Sequence, residues 1–252
     1  MRYALISDIH ANLAALDAVL ADIDSRGVDA IYHAGDLVGY SAEPNEVVER
    51  LQERAIAGVA GNYDSTVATG YAHCGCRSES ARQEELAQLS YRWTLDATTA
   101  ETKRYLGGLP FSLDLRPLGG HTHGPRLVLV HGTPTLNTVY WTEDRTDEFC
   151  LKMAKHVALE SGDAIAFGHT HKPWQRVVEG IHFINTGSVG RPKDGHWQAG
   201  YVLLDFGDVD TRVEHVRVPY DIDRTIAGVR AAGLPEEFAE FLRSGGRATV
   251  PG

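Results

Sequence analysis

Cysteine is scarce in this chain: Cys74, Cys76 and Cys150 are the only three in 252 residues. An odd number at no framework spacing argues against a fold stapled by disulfides and points to a reducing compartment. His73, Cys74 and Cys76 have no second cluster at zinc spacing, so HCGC is not read as a metal knuckle. Basic charge is short as well, with 24 Lys and Arg against 34 Asp and Glu and a net charge of −10. Duplex nucleic acid needs a basic face and is not an expected partner. No apolar run approaches the length of a membrane span. The opening MRYALIS reads as a strand, without the order of a signal peptide. These absences lead us to expect a cytoplasmic protein with no membrane partner. Hydrophobic residues, at 43 %, are enough for a large folded core.

The first 60 residues alternate. RYALIS and DAIYHAGD are strand-like, and AIAGVAG is expected to form a third strand. Between them, Ala11 to Arg26 carries an apolar face (Leu13, Leu16, Val19, Leu20, Ile23), and Pro44 opens a second helix running to Glu53. Such βαβαβ order implies parallel strands with right-handed crossovers. Two helical stretches, about Ser80 to Leu95 and Thr99 to Leu106, make residues 65–109 a small helical cap insertion. FSLDLRP and PRLVLVHG are expected to pair as a hairpin. A helix from about Glu143 to Ser161, five strands, and a helical stretch from Asp221 to Arg243 follow. Residues 244–252 are expected to fray. No repeat or linker divides residues 1–252, which read as one domain.

Five strands each run into Asp, Asn or His: Asp8-Ile9-His10, Gly35-Asp36, Gly61-Asn62, His131-Gly132 and Gly168-His169-Thr170-His171. Ligands gather at the carboxyl ends of strands in open α/β sheets, so these residues can converge. If the segments are extended, residues i and i+2 point the same way, which would aim Asp8 with His10 and His169 with His171. Oxygen and imidazole donors without cysteine suit Mn²⁺, Fe²⁺, Zn²⁺ or Ni²⁺. Seven ligands exceed one ion's need and fit two ions sharing a carboxylate. Taken alone, a single Asp-X-His occurs often by chance, and Asn62 would equally serve to cap a turn. The ordered series is far more specific.

The series resembles the calcineurin-like metallophosphoesterases, whose pattern is Asp-X-His, Gly-Asp-X-X-Gly, Gly-Asn-His-Asp or Glu, a later His, and Gly-His-X-His. SDIHANLAALDAVL, GDLVGYSAEPNEVVE and NTGSVGRPKDG look closest to a small bacterial and archaeal, phosphodiesterase-like subgroup of diverse substrates. The implied fold is α/β: two stacked mixed β-sheets flanked by helices, a four-layer sandwich. The resemblance implies one metal on Asp8, His10 and His171 and another on Asn62, His131 and His169, with Asp36 bridging. Manganese is favoured for activity. It implies a phosphoric ester hydrolase that cleaves phosphodiester or phosphoanhydride bonds by attack of a metal-bridging hydroxide on a small phosphorylated substrate, nucleotides included. Phosphomonoesterase or protein phosphatase-like activity is one alternative. The other is a catalytically weak metal-binding scaffold of the same fold, as in the retromer subunit that resembles this family. Oligomeric state is left open.

Catalytic positions implied by the resemblance are Asn62, His131, Tyr63 and Asp64. Tyr63 is the departure, because the family usually has a His there that Asp64 orients. A tyrosine can donate a hydrogen bond but supplies no positive charge near neutral pH. Its alternative is a packed ring bordering the site. Arg191 and Lys193, after NTGSVG, are candidates to meet a substrate phosphate, with ordinary surface charge as the alternative. His33 reads as packed, and His121 and His123 as solvated turn residues. Trp93, Trp141 and Tyr140 are read as pocket walls or core.

Overall fold

The computed structural model describes residues 1–76, 80–116, 125–207 and 210–247. The chain opens with β1 (Arg2–Ile6), α1 (Leu13–Asp24), β2 (Ala30–His33), α2 (Pro44–Glu53) and β3 (Ala57–Gly58). The three strands pair in parallel, as the alternation requires. The third is shorter than expected. Its apolar run stops pairing at Gly58, and Asn62 opens a helix, α3 (Asn62–Thr69), that periodicity did not place. The signal for this helix is capping rather than an apolar stripe. Gly61 is extended, and its N–H donates to the Asp64 carboxylate at 2.9 Å. Within the helix, the hydroxyls of Thr66 and Thr69 bond back to the carbonyls of Asn62 and Ser65.

Helices α4 (Ala81–Ala97) and α5 (Ala100–Gly108) follow, started by the side chains of Ser80 and Thr99. Strand β4 (Ser112–Leu115) pairs antiparallel with β5 (Leu127–Val130), as expected of a hairpin. The turn itself lies outside the described residues, as do His121 and His123. Helix α6 is confined to Asp147–His156 because Thr146 caps it. Strands β6 (Ala164–Phe167), β7 (Trp174–Val178), β8 (Ile181–Asn185), β9 (Ala199–Phe206) and β10 (Thr211–Val218) come next. The expected C-terminal helical stretch is two helices, α7 (Ile222–Ala231) and α8 (Glu236–Ser244), parted by left-handed Gly233 and by Pro235. Beyond α8, Gly195 N–H donates to the Gly245 carbonyl at 2.8 Å, and Gly246 N–H to that of Phe241 at 2.9 Å. Residues 248–252 lie outside the description.

The strands form two mixed five-stranded sheets, β10-β9-β1-β2-β3 and β4-β5-β6-β8-β7. Period-two alternation stacks them. Tyr3 and Leu5 of β1, Val202 and Leu204 of β9, and Leu127 and Leu129 of β5 meet between the sheets. Ala4 and Ile6 turn outward to α1 and its neighbours. Val128 and Val130 turn outward to α6. Each of the buried Val, Leu and Ile side chains among these stabilises the fold by about 1.5–3 kcal/mol over its exposed state. The result is the expected four-layer α/β sandwich, with eight helices among the described residues. None of those helices is long and apolar enough to cross a membrane. One expectation from the cysteine count differs: Cys74 and Cys76 are joined as a disulfide around left-handed Gly75, while Cys150 is free and buried.

Candidate metal centre

The carboxyl ends of β1, β2, β5 and β6 open toward one place, joined there by the start of α3. Asp8, His10 and His171 form one group of potential ligand atoms. Asp36, His131 and His169 form another. Asn62 joins the second, its Oδ1 standing 3.1 Å from His131 Nε2. All seven expected residues are buried and lie together.

The way they converge is not the extended geometry expected. Asp8, His10, Asp36, His169 and His171 all have positive φ, between 50° and 65°. Each of these five is turned in by a left-handed backbone step, so i and i+2 aim together through paired bends. Such conformations cost about 1–3 kcal/mol each for non-glycine residues and persist only where surrounding structure holds them. Here the loops hold one another: Asp8 N–H donates to Gly35 O at 2.9 Å, His10 N–H to Asp36 O at 3.1 Å, and Gly168 N–H to His131 O at 2.9 Å. Two glycines are required by close approach. A Cβ on Gly61 would collide with the Asp36 carboxylate, and one on Gly168 with that of Asp8.

Each carboxylate has one oxygen restrained and one directed inward. Asp8 Oδ2 accepts from Ser7 Oγ at 2.6 Å and His169 N–H at 3.0 Å. Its Oδ1 is buried with no hydrogen-bond partner, 3.2 Å from His171 Nε2. Asp36 Oδ1 accepts from Tyr63 N–H at 2.9 Å. Its Oδ2 lies 3.8 Å from His10 Nε2 and 3.4 Å from His131 Nε2, between the two groups, where a bridging ligand belongs.

Backbone carbonyls set the imidazole tautomers. His10 Nδ1 meets Val38 O at 3.0 Å, His131 Nδ1 meets Ala34 O at 2.7 Å, and His171 Nδ1 meets Arg191 O at 2.6 Å. A carbonyl only accepts, so Nδ1 carries the proton and Nε2 presents its lone pair. The Nε2 atoms of His10 and His171 then face each other at 3.1 Å. His131 Nε2 faces His169 Nδ1 at 3.2 Å. In the His10–His171 pair, acceptor faces acceptor inside a buried pocket, which fits a cation between them. This donor set therefore fits two divalent ions.

Electrostatics follow from burial. It holds His10 and His169 neutral, pushed down to about 3, and His171 well below its usual value. Burial also lowers His131, but the Asp36 charge outweighs it and raises that imidazole to about 9. Burial raises Asp8, whereas His131 pulls Asp36 below the usual carboxylate range.

A model of the calcineurin-like phosphoesterase superfamily domain matches residues 1–209. The chain belongs to this superfamily. It is 33 % identical to an uncharacterized protein of Methanocaldococcus jannaschii, over 95 % of this chain and 96 % of that one. A metallophosphoesterase structure from Sphaerobacter thermophilus is 30 % identical, with a TM-score of 0.73, covering 97 % of this chain and 99 % of that one. A hypothetical protein from Pyrococcus horikoshii shares the fold at 22 % identity and a TM-score of 0.79, covering 98 % and 99 %.

In this calcineurin-like phosphoesterase, Asp64 faces backbone. Its oxygens accept from Asp36 N–H and Leu37 N–H, both at 2.8 Å, as well as from Gly61 N–H. It fixes the Asp36 loop onto α3, and burial with the neighbouring Asp36 charge raises it to about 7. Tyr63 is buried, its ring edge-on to His10 at 5.6 Å, and its hydroxyl donates to Ser90 Oγ at 3.5 Å. Burial raises that phenol well above its ordinary value. Trp141 is core, stacked on Phe167 at 4.3 Å, and His33 is buried without a partner for either ring nitrogen. Tyr140 lines the site, its ring 4.2 Å from that of His169. Arg191 and Lys193 border a cavity of about 370 Å³ over the metal centre, together with Tyr40, Phe238 and Phe241. Sequence reading missed the orienting carbonyls of Ala34 and Val38. It also missed Cys74, whose carbonyl accepts from Asn62 Nδ2 at 2.9 Å. Backbone partners leave no mark in residue type.

Proposed function

We propose that this chain is a dinuclear metal-dependent phosphoric ester hydrolase acting on phosphodiester or phosphoanhydride bonds of a small phosphorylated substrate. The observation that carries the reading is the facing Nε2 lone pairs of His10 and His171, with Asp36 Oδ2 between the two ligand groups. Bound there, two divalent cations, manganese first among candidates, supply Lewis acidity and lower the pKa of water. Asp8, His10 and His171 would hold one; Asn62, His131 and His169 the other; Asp36 both.

The chain's own residues then limit the chemistry. Val38, Ala34 and Arg191 carbonyls fix the imidazoles, so the ligand cage is preorganised rather than assembled on binding. Where relatives of this motif carry His, Tyr63 offers a buried phenol already engaged by Ser90. Neither imidazolium charge nor a ready proton stands at that position. General-acid help is typically worth about 10²–10⁴-fold. Leaving groups that depart as stable anions, such as aryl oxides and phosphates, need it least, which favours activated diesters and anhydrides over alkyl monoesters.

The test is turnover by Mn²⁺-loaded protein on bis-p-nitrophenyl phosphate, p-nitrophenyl phosphate and diadenosine tetraphosphate. Metal-dependent hydrolysis that Asp36→Asn abolishes is expected. No metal-dependent turnover on any of the three would refute the reading and favour a scaffold.

A further inference from the structure

The cavity holds two cations that metal binding does not use. Arg191 is 9 % exposed, and its guanidinium lies between the rings of Tyr40 at 3.9 Å and Phe241 at 3.6 Å. Its N–H is held by Ser188 Oγ at 2.8 Å, and its carbonyl by the His171 ring at 2.6 Å, so the residue is tied to the metal centre. Among the described residues no carboxylate pairs with it. Glu237 on the same wall is engaged by Arg82, and Glu240 is exposed at the rim. Lys193 borders the same space, with its N–H on the His171 carbonyl at 3.3 Å. It lies within electrostatic reach of Asp8, Asp36, His169 and His171, while Arg191 reaches toward Tyr40, Tyr63 and Tyr140.

A buried guanidinium without a counter-ion is costly, and two aromatic faces offset only part of that cost. Metal binding makes the imbalance worse. Two divalent ions bring four positive charges against Asp8 and Asp36, and Arg191 adds another. One phosphodiester brings a single negative charge. The excess calls for a ligand with more.

We propose that Arg191 and Lys193 form a second phosphate subsite, so that the substrate is a phosphoanhydride whose leaving phosphate they receive. This rests on the metal-dependent hydrolysis proposed above. In the step, a water oxygen bonds to one phosphorus of the anhydride and the bridging P–O bond breaks. The departing phosphate takes the electron pair, and the water proton passes to solvent. A phosphate leaves as a stable anion, so no general acid is needed where Tyr63 stands. Arg191, with a planar fork fixed between two rings, is suited to bidentate phosphate contact. Phe241 belongs to α8, so the C-terminal helix builds one wall of the subsite.

The experiment compares the binding of inorganic pyrophosphate and orthophosphate to Mn²⁺-loaded protein by calorimetry. It then compares kcat/KM on diadenosine tetraphosphate with that on the p-nitrophenyl ester of thymidine 5′-monophosphate. Wild type is expected to prefer pyrophosphate by about tenfold or more, in line with added charge-assisted hydrogen bonds. Arg191→Met and Lys193→Met are each expected to lower both the pyrophosphate-to-orthophosphate and the anhydride-to-diester ratios, with Arg191→Lys intermediate. Equal binding of the two anions by wild type overturns the subsite, whether or not the variants fold. Ratios unchanged in both Met variants overturn it equally. A pyrophosphate preference that these variants abolish, in protein with no turnover on any substrate, supports the subsite and refutes the hydrolase reading instead.

Discussion

His10 and His171 face each other through Nε2 atoms 3.1 Å apart, while each Nδ1 is committed to a backbone carbonyl. Two lone pairs at that separation repel unless a cation or proton lies between them. Burial opposes the proton, because it pushes His10 down to about 3 and His171 well below its usual value. A metal ion resolves the contact without a proton. On the far side of Asp36, His131, His169 and Asn62 form the second group.

His131 is the exception, and it sets a pH dependence. The Asp36 charge raises its imidazole to about 9 in the metal-free protein, so near neutrality the ring carries a proton that an ion must displace. Metal affinity should therefore weaken as pH falls below about 9, by up to tenfold per unit from this one group. Calorimetry in two buffers of different ionisation enthalpy should find about one proton released per chain at pH 7. Zero release would show that His131 is already neutral.

His33 couples stability to pH through a shift of the opposite sign. It is buried, unpartnered and pushed down to about 3, against an unfolded value of about 6.5. Its folded pKa is depressed, so its contribution is present above about 6.5 and is lost as pH falls from there toward 3. Between pH 6.5 and 5 that one group should remove about 2 kcal/mol of stability. Denaturant unfolding of metal-free wild type and His33→Leu should show a shallower pH slope in the variant over that window. Equal slopes would mean that His33 gains a proton in the fold.

Tyr63 can be tested by exchange. Tyr63→His restores the residue type usual at this motif position and should raise monoester turnover relative to anhydride turnover by about tenfold or more. Tyr63→Phe removes only the hydroxyl and its long contact to Ser90, and should leave stability within about 1 kcal/mol of wild type. Identical monoester-to-anhydride ratios in wild type and Tyr63→His would reduce Tyr63 to a packed ring.

The fold was legible where burial imposes a period. The apolar runs of β1, β2, β5, β6 and β9, each followed by Asp, His or a turn, placed the strands and six of the seven ligands at strand ends, while the two stacked sheets were implied by the family resemblance. Asn62 was placed in the site but on the wrong element, because α3 is marked by Asp64 capping Gly61 rather than by an apolar stripe. The left-handed turns at Asp8, His10, Asp36, His169 and His171 were illegible because Asp and His adopt them only when neighbouring loops enforce them. Asp64 shows the same limit: its type marked it as functional, while its three N–H partners make it the clamp of the Asp36 loop. The double sandwich of Arg191 depends on Tyr40 and on Phe241, fifty residues onward, and no local pattern connects them.

The central claim is two ions bridged by Asp36, and metal stoichiometry tests it most directly. Protein stripped with chelator, reloaded with Mn²⁺ and freed of excess should hold two ions per chain by elemental analysis. Asp36→Asn should lose at least one of them, since its Oδ2 stands between both groups. No bound ion in the wild type, or two ions retained at unchanged affinity in Asp36→Asn, would contradict the account.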